Sequence, residues 1–230
     1  MGSRILENVN LFDSLDSIYC VHLPEDIERK RIMSQIFEKV GILDRVNWMS
    51  APRPFPQYQS TNYQFAGEYG VVLSQLKILT DGLAQNPVFG ISIFEDDIMF
   101  IDESLEYIDK SFKELPEDWD IFYLGGRPLS PLKKVSSHLA KVEKFTSAMS
   151  YCINANVLPE YIQFYIDRMG RPFPDACCDN ILNDFILERN KNGYVGIPAV
   201  AWTIPGWSTL RLGQRDYREA IKKSWMEFGV

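Results

Sequence analysis

The feature that most constrains the fold is a short apolar run, residues 91–94 (ISIF), that ends in three consecutive carboxylates. A run rich in β-branched and aromatic residues is typical of a buried strand. In open α/β sheets, ligands bind just beyond the carboxyl ends of the strands. We therefore expect Glu95, Asp96 and Asp97 to lie at a binding site, where they would repel one another unless a cation is present.

The three acids allow two interpretations. If the backbone stays extended, Glu95 and Asp97 point to one side of the strand and Asp96 to the other. The functional interpretation is a site for a divalent metal ion that receives a diphosphate, with Asp97 and either Glu95 or Asp96 as protein ligands. The alternative is a solvated acidic turn that binds nothing.

Composition narrows the class of protein. A chain of 230 residues without an evident linker, repeat or low-complexity tract predicts a single domain spanning residues 1–230. The formal net charge of −7 argues against a nucleic-acid partner, because little in the chain would offset phosphate repulsion. An anionic cofactor would need local help from a metal ion or from a few arginines.

The sequence also indicates the cellular location of the protein. It shows no signal peptide and no apolar run of transmembrane length, which favours a cytoplasmic protein without an integral membrane segment. The four cysteines form no C-x-x-C pair, and Cys20 and Cys152 are expected to be buried thiols. With only two histidines in the chain, a histidine-rich metal site is excluded.

The order of predicted elements favours an α/β fold. A strand at residues 17–23, a helix at about 26–40 and a short strand at 46–49 make a β-α-β opening, which is typical of a parallel sheet with right-handed crossovers. Residues 141–145 and 148–153 are predicted to pair as strands. The late strand at 195–204 is interrupted by Pro198, so we expect it at a sheet edge.

Six short segments occur in an order that is more specific than any one of them. They are residues 18–24 (IYCVHLP) with Arg29 downstream, 67–75 (GEYGVVLSQ), 94–97 (FEDD), 119–125 (WDIFYLG), Tyr151, and 179–182 (DNIL). In this order the chain resembles glycosyltransferase family 25, which includes bacterial lipooligosaccharide galactosyltransferases and collagen galactosyltransferases. The segments span most of the chain.

The resemblance implies a GT-A fold, which is a Rossmann-like α/β/α sandwich with a mostly parallel central sheet. It implies a UDP-sugar donor, commonly UDP-galactose, a Mn²⁺ or Mg²⁺ ion, inversion at the anomeric carbon, and a glycan or protein-linked hydroxyl as acceptor. Two positions depart from the family pattern. Gln75 stands where histidine is usual, and Thr209 stands where many members have aspartate. A catalytically inactive member that binds nucleotide or glycan as a scaffold is therefore the alternative.

Inversion needs a base that takes the proton of the acceptor hydroxyl. The resemblance assigns this role to Asp179, with Asp175 in reserve; for both, the structural alternative is a helix N-terminal cap. A weaker third interpretation of the acidic motif is a metal-dependent phosphohydrolase, against which the near-absence of histidine counts.

The remaining candidates would contact the nucleotide sugar. Arg29 could bind uridine or phosphate, and its alternative is a plain surface arginine. Trp207 and Tyr63 could stack on sugar faces, although core packing is the more frequent role of such residues. The candidate nucleotide-binding residues are Tyr19, His22, Arg29, Glu68, Ser74 and Asp96.

Overall fold

The computed structural model of the protein describes residues 10–52, 66–172, 174–208 and 213–229. The helices are α1 (Leu11–Ser14), α2 (Ile27–Lys39), α3 (Ala66–Ala84), α4 (Ser104–Lys113), α5 (Leu158–Arg168), α6 (Cys178–Glu188) and α7 (Arg218–Phe228). The strands are β1 (Ser17–His22), β2 (Val46–Ser50), β3 (Gly90–Phe94), β4 (Ile98–Phe100), β5 (Ile121–Pro128), β6 (Lys133–Lys134), β7 (Leu139–Val142), β8 (Phe145–Asn154), β9 (Gly193–Gly196), β10 (Ala201–Thr203), β11 (Gly206–Ser208) and β12 (Gly213–Arg215).

Ten of these strands form one sheet, in which β2, β1, β3, β8, β5, β9, β7 and β6 are successive neighbours. β10 pairs with β5 and β4, and β11 pairs with β12 in a separate hairpin. Within the large sheet, seven strands run in one direction, namely β1, β2, β3, β5, β6, β9 and β10. The other three run in the opposite direction, namely β4, β7 and β8. The central sheet is therefore mostly parallel.

Helices cover both faces of this sheet, because successive side chains of each central strand point to opposite faces. In β3, Ile93 packs into the core under α3, α5 and α6, whereas Phe94 packs into the core under α1, α2 and α4. In β5, Tyr123 and Phe122 divide between the same two cores. The result is three layers, with a helical layer on each side of the sheet.

The opening β-α-β unit follows the local sequence signals. Asp26 caps the start of α2, where its side chain accepts a hydrogen bond from the backbone N–H of Arg29. Gly41 follows the helix with a φ of 74°, a conformation that glycine adopts without a steric penalty. The chain then returns into β2, which pairs in parallel with β1.

Two predictions about strand pairing are wrong. The segment predicted as residues 148–153 belongs to β8, a long strand that pairs antiparallel with β3 and β5 and does not pair with β7. The segment at 195–204 forms two strands that are separated around Pro198, and the first of them, β9, lies between β5 and β7 rather than at an edge. Local sequence shows where strands occur, but long-range contacts decide their partners.

The close approach of β10 to β5 yields a test of the fold. A Cβ atom at Gly125 would lie 2.0 Å from the backbone oxygen of Ala201, a contact that only movement of the backbone could relieve. We expect Gly125→Ala to lower the free energy of unfolding by about 2 kcal/mol or more, measured by chemical denaturation. The control is Gly170→Ala, where a Cβ meets nothing within 4 Å, and its change should stay within about 0.5 kcal/mol.

Candidate active site at the end of strand β3

The three acids lie where β3 ends, in a turn that the backbone holds in place. The N–H of Glu95 donates to the carbonyl oxygen of Met149 (2.9 Å), and the N–H of Ile204 donates to that of Asp97 (2.6 Å). Asp96 and Asp97 form the turn into β4, so the extended alternation ends before them. The expectation that Asp96 points away from Asp97 is therefore wrong, because both aspartates approach the same cation.

That cation is Arg29, in the first turn of α2. Its Nη1 donates to Asp96 Oδ1 at 2.6 Å and lies 3.7 Å from Asp97 Oδ2. Its Nη2 donates to the carbonyl oxygen of Trp207 at 2.6 Å, and its Nε lies 3.5 Å from Asp26 Oδ2. Arg29 is thus not a plain surface arginine: it pairs with both aspartates of the acidic turn and ties the turn to the β11–β12 hairpin.

Burial dominates the electrostatics of the two aspartates. It raises the pKa of Asp97 to about 6, and the negative charge of Asp96 adds to the shift while Arg29 opposes it. Burial also raises the pKa of Asp96, again against the effect of Arg29. Asp97 Oδ1 is buried and has no hydrogen-bond partner among the described residues. A buried acceptor oxygen without a hydrogen bond is stabilised when a ligand supplies a cation or a hydrogen-bond donor.

Glu95 lies toward the opposite helical layer. Burial raises its pKa well above the ordinary range, and the charges of Asp97 and Asp179 add to the effect. No hydrogen bond reaches the Glu95 carboxylate from the described parts of the chain. The acidic turn therefore meets Arg29 through its two aspartates and Asp179 through Glu95, while Glu95 and Asp97 are close enough for each charge to act on the other.

Asp179 is held in a defined orientation in the first turn of α6. Its Oδ2 accepts hydrogen bonds from Thr146 Oγ1 (2.9 Å) and from the N–H of Ser147 (2.8 Å), both in β8. Ser147 has a φ of 54°, a left-handed conformation that is uncommon outside glycine and asparagine. The N-cap of α6 is Cys177, so the cap interpretation of Asp179 is wrong. Its carboxylate instead joins α6 to β8 beside Glu95.

Asp175 lies apart from this arrangement. It is exposed in the turn that precedes Cys177, so it is not the N-cap of α6 either. No contact among the described residues joins it to Glu95 or Asp97. Of the two candidate bases, only Asp179 is placed beside the acidic turn.

The two candidates on β1 have different surroundings. Tyr19 is 4% exposed and packs in the core beneath α3, where its ring lies close to Gly82, away from the acidic turn. His22 is buried at the carboxyl end of β1, with its ring edge-on to Trp48 and its Nδ1 3.1 Å from the Leu23 carbonyl oxygen. Its position is the nearer of the two to the acids, since it lies within the electrostatic reach of Asp96.

Three candidates lie on α3. Glu68 is buried in the first turn of the helix, a position where the helix dipole favours a carboxylate. Ser74 is buried, and its hydroxyl donates to the carbonyl oxygen of Gly70 one turn earlier, so it serves its own helix. Gln75 accepts a hydrogen bond from the hydroxyl of Tyr151 at 2.8 Å. The glutamine that replaces the usual histidine is therefore a buried link between α3 and β8.

The Arg29 side of the acidic turn opens into a cleft beside the β11–β12 hairpin. We call it the hairpin cleft; the lining residues that matter below are Arg29, Asp97, Thr203, Trp207, Arg215 and Tyr217. The Trp207 side chain is 53% exposed at this cleft and is not a core residue. Tyr63 and Thr209 lie outside the described residues, and their predicted roles stay predictions.

Thr203 and Arg215 are cleft residues that the sequence did not indicate. Thr203 lies in a strand of three residues, AWT, whose mostly apolar sequence is typical of a core strand. Arg215 lies in a short polar segment near residue 213. Only the pairing of β10 with β4, which starts directly after the acidic turn, brings Thr203 next to it. The sequence pattern around Thr203 could not predict that this residue lies next to the acidic turn.

The donor atoms fit a hard divalent cation. Asp97 offers a buried oxygen to which no described residue forms a hydrogen bond, and Glu95 offers a second carboxylate. Within the described ranges, no group of three or more His, Cys, Asp or Glu side chains is arranged to hold a metal ion. A metal here would therefore bind one or two protein carboxylates and complete its shell with ligand and water oxygens, as Mg²⁺ commonly does beside phosphates.

Comparison with known proteins bears on the fold. No family model matches the chain, and no curated protein sequence matches it. Among solved structures, the chain is similar to a glycosyltransferase involved in the glycosylation of the major capsid of PBCV-1, with a TM-score of 0.53 and 10% identity over 91% of this chain and 98% of that one. The protein therefore has the predicted GT-A-type, Rossmann-like α/β fold.

Two further structures are less similar. A197 from STIV has a TM-score of 0.44 and 10% identity, over 87% of this chain and 94% of that one. The apo form of UDP-glucose pyrophosphorylase has a TM-score of 0.43 and 7% identity, over 78% of this chain and 72% of that one. In the part of the chain that the structure describes, no helix combines the length and apolarity needed to cross a membrane.

The buried charge of Asp97 leads to a prediction about stability. Its folded-state pKa of about 6 lies above the unfolded value of about 3.9, so ionisation costs folding free energy. This cost grows between about pH 4 and pH 6 and is complete above that range. We expect Asp97→Asn to raise the free energy of unfolding at pH 7.5 by about 1 to 2 kcal/mol, a value reduced for residual exposure, with no gain at pH 4.

Urea denaturation at the two pH values measures this effect. The matched control is Asp102→Asn, since the Asp102 side chain is 86% exposed and its ion pair with Lys39 is a surface contact. The control should leave stability nearly unchanged at both pH values. An Asp97→Asn protein that is less stable than the parent at pH 7.5 would contradict the assignment of a destabilising buried charge.

Proposed function

We propose that the protein is a metal-dependent, inverting glycosyltransferase that moves a hexose, galactose or glucose, from a UDP-sugar to a hydroxyl of a glycan or protein-linked acceptor. The observation that carries the proposal is the two-sided acidic turn after β3, where Asp97 faces Arg29 and the hairpin cleft while Glu95 lies in the field of Asp179. The GT-A-type fold agrees with it, but one fold hosts many functions, and the residues of the site distinguish among them.

The nucleotide side of the reaction would use the Arg29 face. Asp97, with Glu95, would hold Mn²⁺ or Mg²⁺, and the ion when bound would neutralise the charge that develops on the departing diphosphate. Arg29 is oriented by Asp96 and by the Trp207 carbonyl before any ligand arrives. A guanidinium fixed in this way is suited to phosphate oxygens, because its parallel N–H groups match their geometry.

The acceptor side would use Asp179. Inversion requires the acceptor oxygen to attack the anomeric carbon from the face opposite the diphosphate. The bond from that carbon to the diphosphate oxygen breaks, its electron pair leaves with UDP, and the hydroxyl proton passes to the Asp179 carboxylate. Thr146 and Ser147 fix the orientation of this carboxylate through Oδ2, which is what a positioned base requires.

The alternatives have less support. One motive for an inactive scaffold was Gln75, but its bond to Tyr151 gives it a structural role that is independent of catalysis. A two-metal version of the phosphohydrolase hypothesis calls for a larger ligand set than the described residues bring together, since such a site needs more than two carboxylates. The proposal of a UDP-hexose transferase therefore stands first.

A ligand screen tests the donor class. We expect UDP and UDP-hexoses to raise the melting temperature in the presence of Mn²⁺, and to do so less with EDTA, because the metal and the diphosphate would bind together. GDP, CDP and ADP serve as comparison nucleotides, and radiolabelled transfer to glycan acceptors follows for the preferred donor. Stabilisation by none of the nucleotides, with or without Mn²⁺, would argue against a nucleotide-sugar enzyme.

A pair of variants separates the two candidate bases. Asp179→Asn should lower kcat for sugar transfer by about a hundredfold or more, because the variant keeps an acceptor for Thr146 and Ser147 but cannot take up the proton. Asp175→Asn, which changes an exposed residue outside the acidic turn, should retain near-normal kcat. Equal and small effects of both changes would remove Asp179 from the mechanism, and a loss with Asp175→Asn alone would assign the base to Asp175.

A further inference from the structure

The hairpin cleft holds a buried polar atom to which no other described residue forms a hydrogen bond. Thr203 is 7% exposed, and its Oγ1 is buried and forms no hydrogen bond among the described residues. A buried hydroxyl without a partner costs about 1 to 3 kcal/mol of folding free energy. Asp97 Oδ1, which belongs to the same cleft, is also buried without a hydrogen-bond partner among the described residues. The Thr203 hydroxyl can donate to a ligand oxygen, whereas the Asp97 oxygen calls for a cation or a donor bound together with that ligand.

The cations of the cleft indicate the charge of that ligand. Arg29 and Arg215 both line it, one from α2 and one from β12. Arg29 forms ion pairs with Asp96 and Asp97. Arg215 forms no ion pair in the described part of the chain, and its Nη1 donates a hydrogen bond to the Gln214 carbonyl oxygen. A guanidinium without a carboxylate, next to a hydroxyl donor, favours an anion with several oxygens.

The backbone of the hairpin places the exposed Arg215 beside the cleft. In the hairpin, Arg215 is paired with Gly206, and Ser208 is paired with Gly213. The Arg215 Nη1 lies 3.5 Å from where a Cβ of Gly213 would be, so the guanidinium lies against the glycine backbone. Gly213 thus leaves room for the charged group to lie along its own strand beside the cleft.

We infer that Thr203 and Arg215 bind the diphosphate of the ligand in the hairpin cleft, on the side away from the base Asp179. The hydroxyl of Thr203 donates to one phosphate oxygen and the guanidinium of Arg215 pairs with others, while Arg29 contributes from α2. The identity of the ligand as UDP rests on the proposed function. The anion site itself rests on the unpartnered hydroxyl and on the two guanidinium groups.

Calorimetric titration with inorganic pyrophosphate, UDP and uridine, each with and without Mn²⁺, tests the inference on the full chain. Arg215→Gln and Thr203→Val should each weaken binding of pyrophosphate and UDP about tenfold or more, because each removes a hydrogen bond to a charged group. Uridine binding should not change. The control is Arg218→Gln, whose arginine is paired with Asp216 and is absent from the cleft lining, and it should bind like the parent.

Thr203→Val also separates binding from folding. Valine keeps the shape and the β-branching that suit a strand, and it removes a hydroxyl that has no partner, so the melting temperature should stay equal or rise. A variant that is at least as stable as the parent and binds pyrophosphate about tenfold more weakly supports the inference. Unchanged pyrophosphate and UDP binding in both cleft variants would overturn it.

The outcomes for the two proposals are distinct. If the protein transfers sugar from UDP-hexoses but neither cleft variant alters diphosphate binding, the proposed function stands and this inference is wrong. If no nucleotide sugar is used, but pyrophosphate binds and Arg215→Gln and Thr203→Val weaken it while Arg218→Gln does not, the anion site stands without the glycosyltransferase. If pyrophosphate and UDP fail to bind the parent protein under any condition, the inference is overturned.

Discussion

The structure depends on one electrostatic arrangement, the burial of carboxylates at the end of β3 beside the guanidinium of Arg29. Taking charged groups out of water is costly, and Arg29 offsets this cost for Asp96 and Asp97 by direct contact. The same guanidinium binds the Trp207 carbonyl, so the charge balance of the turn also holds the β11–β12 hairpin in place. Within the described residues, no cation forms an ion pair with Glu95, and a bound metal ion would supply a counter-ion.

The sheet places the two halves of this site on opposite faces. β3 lies between β1 and β8. The helix that follows β1 brings Arg29 to one face of the acidic turn, and the hydrogen bonds from β8 to Asp179 bring the start of α6 to the other. A leaving group and a base must act from opposite sides of the reacting carbon in an inverting transfer. The insertion of an antiparallel strand next to β3 therefore serves the chemistry that we propose.

Much of the fold could be predicted because its signals are local. The apolar run before Glu95, the strand at 17–23 and the helix at about 26–40 depend on neighbours a few residues away, and each was confirmed. Predictions that required a distant partner were less successful. The pairing of β8, the place of β9 within the sheet, and the role of Tyr19 as a core residue all depend on segments that lie far away in sequence.

By itself, the sequence determined that an α/β sheet would carry three carboxylates at the end of a buried strand, since residue type and periodicity act over short distances. Tertiary structure alone decided which charges meet there. Arg29 reaches Asp96 across 67 positions in sequence, and its bond to Trp207 spans 178. The free energy of such contacts comes from burial and distance, which exist only once the layers have packed. For that reason Thr203 and Arg215 became recognisable as part of the site only in the folded protein.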